Sequence, residues 1–278
     1  MTAVTGLGQD QFVDDYLVPG RPVLVRGGLS GWGVRPPWDL AALAARFADH
    51  RVPLYDTLFW LQRFSTFGGY VAAHTGDRVR GVPPYLRWFA RQNPRRLPWA
   101  DAAFAELSRE WSMPAWLPRE DYVFPRLDRP MDVTLDSLPA KGLFVCGRGG
   151  RTRLHVDPWA SDACLCQVTG MKRLVMYSPQ DRELLTAGTD VLDLDRVDEE
   201  RFPRWREAVP VFDELLEAGD VAFIPAGWFH AAVAESDSLS ITWNFVHASH
   251  ERRFAHFLEA GGREDETVRY FLTPQGRR

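Results

Sequence analysis

Between residues 141 and 247 the chain is a succession of short apolar segments separated by turn residues, and this pattern restricts its possible folds more than any other feature. The segments are about six residues long, which suits strands better than helices. Gly170-Met171, Gly219-Asp220 and Pro225-Ala226-Gly227 supply turn residues between them. Such a pattern favours a β-sandwich or a barrel. The predicted strands span 142–147, 152–157, 163–168, 172–177, 220–225, 229–234 and 239–246.

The flanking segments predict helices and strands around this β-rich region. Strands are expected at 21–26 and 51–60, and the acidic segment 190–217 is expected to be a surface excursion. The proline-rich stretch 63–140 indicates only short helices within irregular loops. Apolar periodicity predicts helices at 9–18, 38–49, 84–92, 100–110, 250–260 and 264–272.

The domain organisation is expected to be simple, because no linker clearly separates two parts of the chain. We expect one domain over residues 1–248, in which 1–140 form an α/β elaboration and 141–248 hold the core strands and the functional site. A short helical segment is expected at 249–278.

Composition argues against several classes of protein. A net charge of −4 and a pI of about 6.0 give no strongly basic footprint, so a dedicated nucleic-acid binder is not favoured. No run approaches the ~20 apolar residues of a membrane span, and the N-terminus lacks the pattern of a secretion signal. Cys146, Cys164 and Cys166 are too few and too unevenly spaced for a disulfide framework. We therefore expect a cytoplasmic protein whose cysteines are small buried hydrophobic residues.

Two histidines and one aspartate form a candidate metal site. His155 and Asp157 are two residues apart on a predicted strand, so their side chains share one face. His230 begins a later strand after a Pro-Ala-Gly turn, and an antiparallel pairing would bring it beside them. Two imidazoles and one carboxylate are the ligand set of non-haem Fe(II) oxygenases, which leave positions open for a co-substrate and O2. Zinc is the alternative metal.

These residues stand within segments that resemble a known family. Gln167–Pro179 and Leu216–His230 are similar to segments of the cupin-like (cupin 8 type) JmjC oxygenases, which depend on Fe(II) and 2-oxoglutarate. The tRNA-modifying hydroxylases of that family are the nearest in likeness, and its asparaginyl hydroxylases are more distant. Residues 12–32 also resemble the N-terminal portion of cupin-like members. The resemblance implies a mainly β fold with helical elaborations around a double-stranded β-helix, or jelly-roll, core.

The resemblance also implies a pocket for 2-oxoglutarate. Family members place a lysine after the glycine of the Gly170-Met171 turn to bind the distal carboxylate, which carries this role to Lys172. Lysine is scarce here, since the chain has only Lys141 and Lys172, and this scarcity agrees with a retained function. Thr152 matches a hydroxyl that helps to hold the same acid, and Asn244 matches an asparagine near the co-substrate. Fe(II), 2-oxoglutarate and O2 are the expected metal and co-substrates.

The sequence departs from the family in one part of this pocket. Many relatives have an asparagine several residues after the aspartate ligand, whereas residues 158–166 contain none. We expect Ser161 or Cys164 to fill that place. An aspartate at 157, rather than alanine or glycine, argues against a halogenase, in which a halide replaces the carboxylate ligand.

The substrate is the least constrained part of the prediction. Trp159, Ser161, Trp228 and Trp243 are near the ligands in sequence and are predicted to line a substrate pocket, with a place in the barrel core as the alternative for each tryptophan. Arginines within 147–153 and at Arg91, Arg95 and Arg96 are candidates to contact an acidic peptide or a phosphate.

We favour hydroxylation of a peptidyl, protein or amino-acid-like substrate. The alternatives are a tRNA or nucleoside hydroxylase, an N-demethylase, a catalytically silent metal-binding scaffold and a zinc-dependent hydrolase. The predicted helices at 250–272 resemble in position the dimerisation helices of some relatives, so a homodimer is also expected.

Overall fold

Two β-sheets pack face to face around the region predicted to be β-rich. The computed structural model describes residues 3–30, 38–77, 79, 81–89 and 100–273. Its strands are β1 Ala3–Val4, β2 Val23–Val25, β3 Arg51–Tyr55, β4 Leu61–Thr66, β5 Tyr85–Phe89, β6 Tyr122–Phe124, β7 Gly142–Cys146, β8 Arg151–His155, β9 Asp162–Thr169, β10 Lys172–Tyr177, β11 Thr186–Ala187, β12 Asp190–Val191, β13 Phe212–Leu216, β14 Val221–Ile224, β15 Phe229–Ala234 and β16 Ser238–His247.

The helices are short, and most of them come before or after the core strands in the chain. The first one continues as a π-helical turn to Leu17. None of the described helices combines the length and the apolar character that crossing a bilayer requires. The α-helices of the described residues are α1 Gln9–Phe12, α2 Leu40–Arg46, α3 Phe67–His74, α4 Ala100–Ser108, α5 Arg182–Leu185, α6 Glu251–Glu259 and α7 Glu266–Phe271.

The larger sheet has the order β1-β2-β14-β9-β16-β7-β5-β3-β4, with β6 beside β16, and the smaller sheet has the order β13-β10-β15-β8. Apolar side chains from both sheets meet between them, including Ala163 and Ile224 from the larger sheet and Leu174 and Ala232 from the smaller one. This arrangement is a jelly-roll core, as the resemblance to the cupin-like family implied. The N-terminal strands extend the larger sheet rather than forming a sheet of their own.

The prediction of a helix at 84–92 was wrong. Residues 85–89 form strand β5, which pairs antiparallel with both β3 and β7, and residues 90–92 lie outside the described part of the chain. Hydrogen bonding to two neighbouring strands satisfies this backbone in the extended form, so tertiary pairing overrides local periodicity.

The acidic segment 190–217 is only partly a surface excursion. Its last part, β13, pairs with β10 along five residues and becomes an edge strand of the smaller sheet. Phe212 and Leu216 are buried, whereas Asp213 and Glu214 between them are exposed. Outward-facing acids are typical of protected edge strands, which explains why composition alone suggested a loop.

The C-terminal helices pack onto their own chain. Phe254 and Leu258 of α6 and Phe271 of α7 are buried with Phe124 and Val246 of the sheet. The apolar side chains that the sequence offered for dimerisation are thus partly used within one chain, and the homodimer stays a prediction.

The buried carboxylate of Asp162 ties the start of α6 to the core. It accepts hydrogen bonds from the backbone N–H of Ala226 and from Arg253, and it lies 3.0 Å from Nδ1 of His250. The turn that precedes β15 and the C-terminal helix therefore share one buried anchor.

Gly170 in the β9–β10 turn is a position where the backbone demands glycine. Its φ is +72°, and a Cβ there would lie 2.0 Å from the carbonyl oxygen of Asp237. Gly188 has a similar φ of +64° but open space around it, so it is a matched control. We expect Gly188→Ala to lower the free energy of unfolding by ~1–2 kcal/mol, because alanine is strained in the left-handed region.

Gly170→Ala should cost ~1–3 kcal/mol more than the control, since the carbonyl must also move. The difference between the two urea unfolding transitions measures this additional cost. Equal losses for the two variants would contradict the close contact.

Candidate metal centre and cavity

His155, Asp157 and His230 come together at one end of the jelly roll. β8 and β15 are antiparallel neighbours, and His155 lies directly opposite His230 in their register. Nε2 of each histidine is 3.9 Å from Oδ1 of Asp157, and the three potential ligand atoms all lie within 4.8 Å of one another. This spacing allows all three groups to contact one ion.

The two imidazoles are oriented for metal binding by backbone carbonyls. Nδ1 of His155 lies 2.8 Å from the carbonyl oxygen of Arg153, and Nδ1 of His230 lies 3.2 Å from that of Trp228. Since a carbonyl can only accept, both Nδ1 atoms carry a proton, and Nε2 is the atom that each ring offers to a metal. Burial, reinforced by the neighbouring His230, holds the pKa of His155 well below its usual value, so this ring is neutral. Two imidazoles beside a carboxylate fit a divalent transition metal.

A cavity of about 440 Å³ opens beside these three residues. Both sheets and the β3–β4 turn contribute to its walls, which are mainly apolar and aromatic. Four residues that the sequence singled out for co-substrate or substrate line it, namely Thr152, Trp159, Lys172 and Asn244.

Lys172 places a buried ammonium group in this cavity. Its Nζ donates to the hydroxyl of Ser240 at 2.6 Å, and that hydroxyl in turn donates to Oε1 of Gln167. Nζ also lies 5.3 Å from the centre of the Tyr85 ring. Burial lowers the pKa of Lys172. Among the described residues no carboxylate forms an ion pair with it, so it is available for an anionic ligand.

Thr152 and Asn244 line the cavity from different sheets, on β8 and β16. The hydroxyl oxygen of Thr152 accepts from the backbone N–H of Ala232 at 3.2 Å, which leaves its own proton to donate elsewhere. Asn244 donates from Nδ2 to the hydroxyl of Ser161 at 3.0 Å. Ser161 therefore lies behind the cavity wall and supports Asn244, rather than lining the cavity itself.

Trp243 and Trp228 lie away from the cavity wall, contrary to the prediction. Thr242 and Asn244 on either side of Trp243 line the cavity, and because successive strand residues face opposite ways, Trp243 faces away from the cavity. It packs 5.8 Å from the ring of Trp111 in the larger core. Trp228 instead donates from Nε1 to the carbonyl of Gly20 at 3.1 Å.

Two of the three described arginines proposed as anion contacts pair within the chain, whereas Arg148 is exposed. Arg151 and Arg153 form ion pairs with Asp195 and Asp193 of the acidic segment, at 3.0 and 3.2 Å. Arg91, Arg95 and Arg96 lie outside the described residues.

The sequence reading missed several cavity residues on and near β5. Tyr85, Arg87 and Phe89 alternate along this strand and all line the cavity. Phe59, in the β3–β4 turn, packs with its ring centre 4.7 Å from that of His155. The alternation Tyr85-x-Arg87-x-Phe89 is the signal that could have identified them, but it was hidden by the expectation of a helix there.

Comparison with known proteins places the site within a matched region. A family profile described as "Cupin-like domain" matches residues 70–251, which include all three candidate ligands. The tRNA wybutosine-synthesizing protein 5 of Danio rerio is 45% identical over 249 residues, covering 83% of this chain and 70% of that protein. Lysine-specific demethylase JMJ30 of Arabidopsis thaliana is 27% identical over 252 residues, covering 86% of this chain and 53% of that protein.

Two further relatives carry oxygenase names. The 2-oxoglutarate and iron-dependent oxygenase JMJD4 of Gallus gallus is 24% identical over 264 residues, covering 84% of this chain and 57% of that protein. The structure of YcfD, a ribosomal oxygenase from Escherichia coli, aligns with a TM-score of 0.48 and 16% identity over 94% of this chain and 57% of that one. The chain spans about half of the length, or less, of the first curated relatives that it matches.

Proposed function

Because the chain belongs to the cupin-like domain family of JmjC-type oxygenases and demethylases, we propose that it is an Fe(II)- and 2-oxoglutarate-dependent dioxygenase. In this proposal it hydroxylates a C–H bond and releases succinate and CO2. The observation that carries the proposal is the convergence of His155, Asp157 and His230 beside a cavity that contains the unpaired cation of Lys172.

The residues present fit the implied metal and co-substrate. His155 and His230 would hold Fe(II) through Nε2, and Asp157 would hold it through its carboxylate. Bound there, the iron supplies the activation of O2 and the oxidation of the C–H bond. Lys172 would bind the distal carboxylate of 2-oxoglutarate, with Thr152 donating its free hydroxyl proton and Asn244 contacting the same acid.

The protein's own contribution is to orient the ligands and exclude water. The carbonyls of Arg153 and Trp228 keep each imidazole in one tautomer and one orientation. Aromatic side chains around the cavity, including Phe59 against His155, reduce the exposure of the centre to water and so strengthen the electrostatic interactions within it.

For the substrate we favour a peptidyl, protein or amino-acid-like molecule, since relatives include enzymes named as lysine- and arginine-specific demethylases. An N-demethylase outcome needs no different centre, because a hydroxylated N-methyl group breaks its C–N bond to give the amine and formaldehyde. A tRNA or nucleoside hydroxylase is the second candidate, favoured by the 45% identity to a tRNA wybutosine-synthesizing protein.

We also propose that residues 1–248 act as one domain followed by the short helical segment 249–278. Strands β1 to β5 belong to the same sheet as the core strands β7, β9, β14 and β16, which supports a single unit.

The test is Fe(II)- and 2-oxoglutarate-dependent turnover in host extracts separated into protein, RNA and small-molecule fractions. We expect succinate release together with a product that has gained one oxygen atom, detected by untargeted mass spectrometry, in one fraction. The fraction that yields the product decides between the substrate candidates. Absence of succinate release from every fraction would favour the silent scaffold, and turnover that needs zinc instead of iron would favour the hydrolase.

A further inference from the structure

Arg87 places a second cation in the cavity, on the side of the metal ligands. It lies on β5, and its guanidinium carbon is 3.5 Å from the centre of the Phe59 ring and 4.6 Å from that of Phe144. Phe59 in turn contacts His155. Nε of Arg87 is buried and has no hydrogen-bond partner. Within the described ranges no carboxylate forms an ion pair with this guanidinium.

The guanidinium carries its charge at neutral pH. Burial lowers the pKa of Arg87 to about 10, partly offset by the negative potential of nearby groups that include Asp157. A cation against aromatic rings gains some cation–π attraction, but the buried Nε–H of Arg87 still lacks a hydrogen-bond acceptor. Such a group favours an anionic partner strongly, because removing an unpaired charge from water is costly.

The balance of charge in the cavity leaves room for one more anion. Arg87 and Lys172 are the cations of its lining, and Asp157 is the one carboxylate among the described residues there. A divalent metal and a doubly negative 2-oxoglutarate cancel each other. One positive charge therefore remains when both are bound, and it sits between apolar and aromatic walls.

We propose that the substrate of this enzyme carries a carboxylate joined to an apolar or aromatic group, and that Arg87 binds this carboxylate while Phe59, Phe89 and Phe144 contact the apolar part. The inference rests on the proposed function and deepens it, since it makes Arg87 a specificity-determining residue. A guanidinium suits this task because its planar donors match a carboxylate in a bidentate arrangement. The carboxylate can belong to a free small acid or to an acidic residue of a peptide.

The test uses ligand-observed NMR on the full chain loaded with Mn(II) and N-oxalylglycine, a redox-silent analogue of 2-oxoglutarate. The probes are 3-phenylpropionate and its amide, and a short C-terminally amidated peptide with one internal glutamate or glutamine. We expect an acid to bind at least ~10-fold more tightly than its amide counterpart, because only the acid forms a charge-assisted pair. A difference between 3-phenylpropionate and its amide would indicate a free small acid, and a difference between the glutamate and glutamine peptides would indicate an acidic residue of a peptide.

Arg87→Met should bring binding of the acid down to the level of the amide, and Arg87→Lys should restore part of it. The affinity for N-oxalylglycine should stay the same in both variants. Saturation transfer reports probe binding whether or not the metal is present, whereas line broadening by Mn(II) reports proximity to the metal. Loss of broadening alone would therefore contradict the metal site and leave the role of Arg87 standing.

Three results would overturn the inference: equal binding or no binding of acid and amide by the unsubstituted protein, unchanged binding of the acid by Arg87→Met, or a weaker affinity of Arg87→Met for N-oxalylglycine. The last result would assign Arg87 to the co-substrate. Arg87→Lys keeps the charge and most of the packing, so it separates a lost contact from a damaged fold.

Discussion

Asp157→Ala is expected to abolish 2-oxoglutarate turnover while the protein remains folded. Asp157 supplies the one carboxylate of the candidate ligand set, and its Oδ1 lies 3.9 Å from Nε2 of both histidines. Mutation of a residue that only hydrogen-bonds to a metal ligand lowers metal affinity or activity about 10- to 100-fold. Removal of a ligand itself should therefore lower activity by more than ~100-fold. The side chain is at the rim of the cavity and part-exposed, so its removal leaves the apolar core intact.

Succinate release and Co(II) binding, followed by visible absorption, measure this effect. Asp213→Ala is the matched control, because Asp213 is an exposed carboxylate paired with Arg173 on the smaller sheet and lies outside the cavity lining. It should leave both quantities unchanged. Full activity of Asp157→Ala would end the assignment of this residue to the metal.

Lys172→Met is expected to raise the KM for 2-oxoglutarate about 10- to 100-fold, with a much smaller change in kcat at saturation. Removing a charge-assisted hydrogen bond in a buried site costs ~1.5–3 kcal/mol, which corresponds to this range. Methionine fills nearly the same volume, so no cavity is created beside Ser240 and Tyr85. The binding is then weakened while the reacting atoms keep their positions.

Lys141→Met is the control, since Lys141 is the other lysine of the chain and is buried against Trp111, outside this cavity. Its ammonium instead donates to the backbone carbonyl of Asp136 at 3.1 Å. Steady-state kinetics of both variants measure the KM for 2-oxoglutarate and kcat, and only Lys172→Met should change the KM. If Lys172→Met keeps the normal KM and Arg87→Met raises it, the two cations have the opposite roles to those proposed.

The core strands were predictable because their evidence is local. Apolar segments bounded by Gly, Pro and Asp turns mark strands wherever they occur, and all seven predicted between 141 and 247 are present. The proximity of His155 and Asp157 was expected from strand parity, but β8 ends at His155, so Asp157 reaches the site from the segment that follows the strand. His230 needed one further assumption, the antiparallel pairing of β8 with β15, which the structure shows.

The residues that surround the site were harder to predict. Trp159 and Trp243 look alike in sequence, yet Trp159 lies in the turn between β8 and β9 and lines the cavity, whereas Trp243 lies on β16 and packs in the core, on the face that its pairing with neighbouring strands sets. Arg87 was overlooked because the extended form of β5 is stabilised by pairing with β3 and β7, which are distant in the chain. Neither effect is present in a window of local sequence.

By itself the sequence determined the short strands of the core and pointed to the three candidate metal ligands, while its resemblance to a known family implied the jelly-roll topology and the role expected of Lys172. The strands and the candidate ligands depend on periodicity, turn residues and the chemistry of particular side chains, which are properties of short stretches. Only the tertiary structure decided that β5 joins the larger sheet, that Trp228 and Trp243 lie outside the cavity lining, and that Arg87 lies against Phe59 with no carboxylate of the described residues ion-paired to it. The physical reason is that strand pairing and burial of charge depend on contacts between residues far apart in the chain.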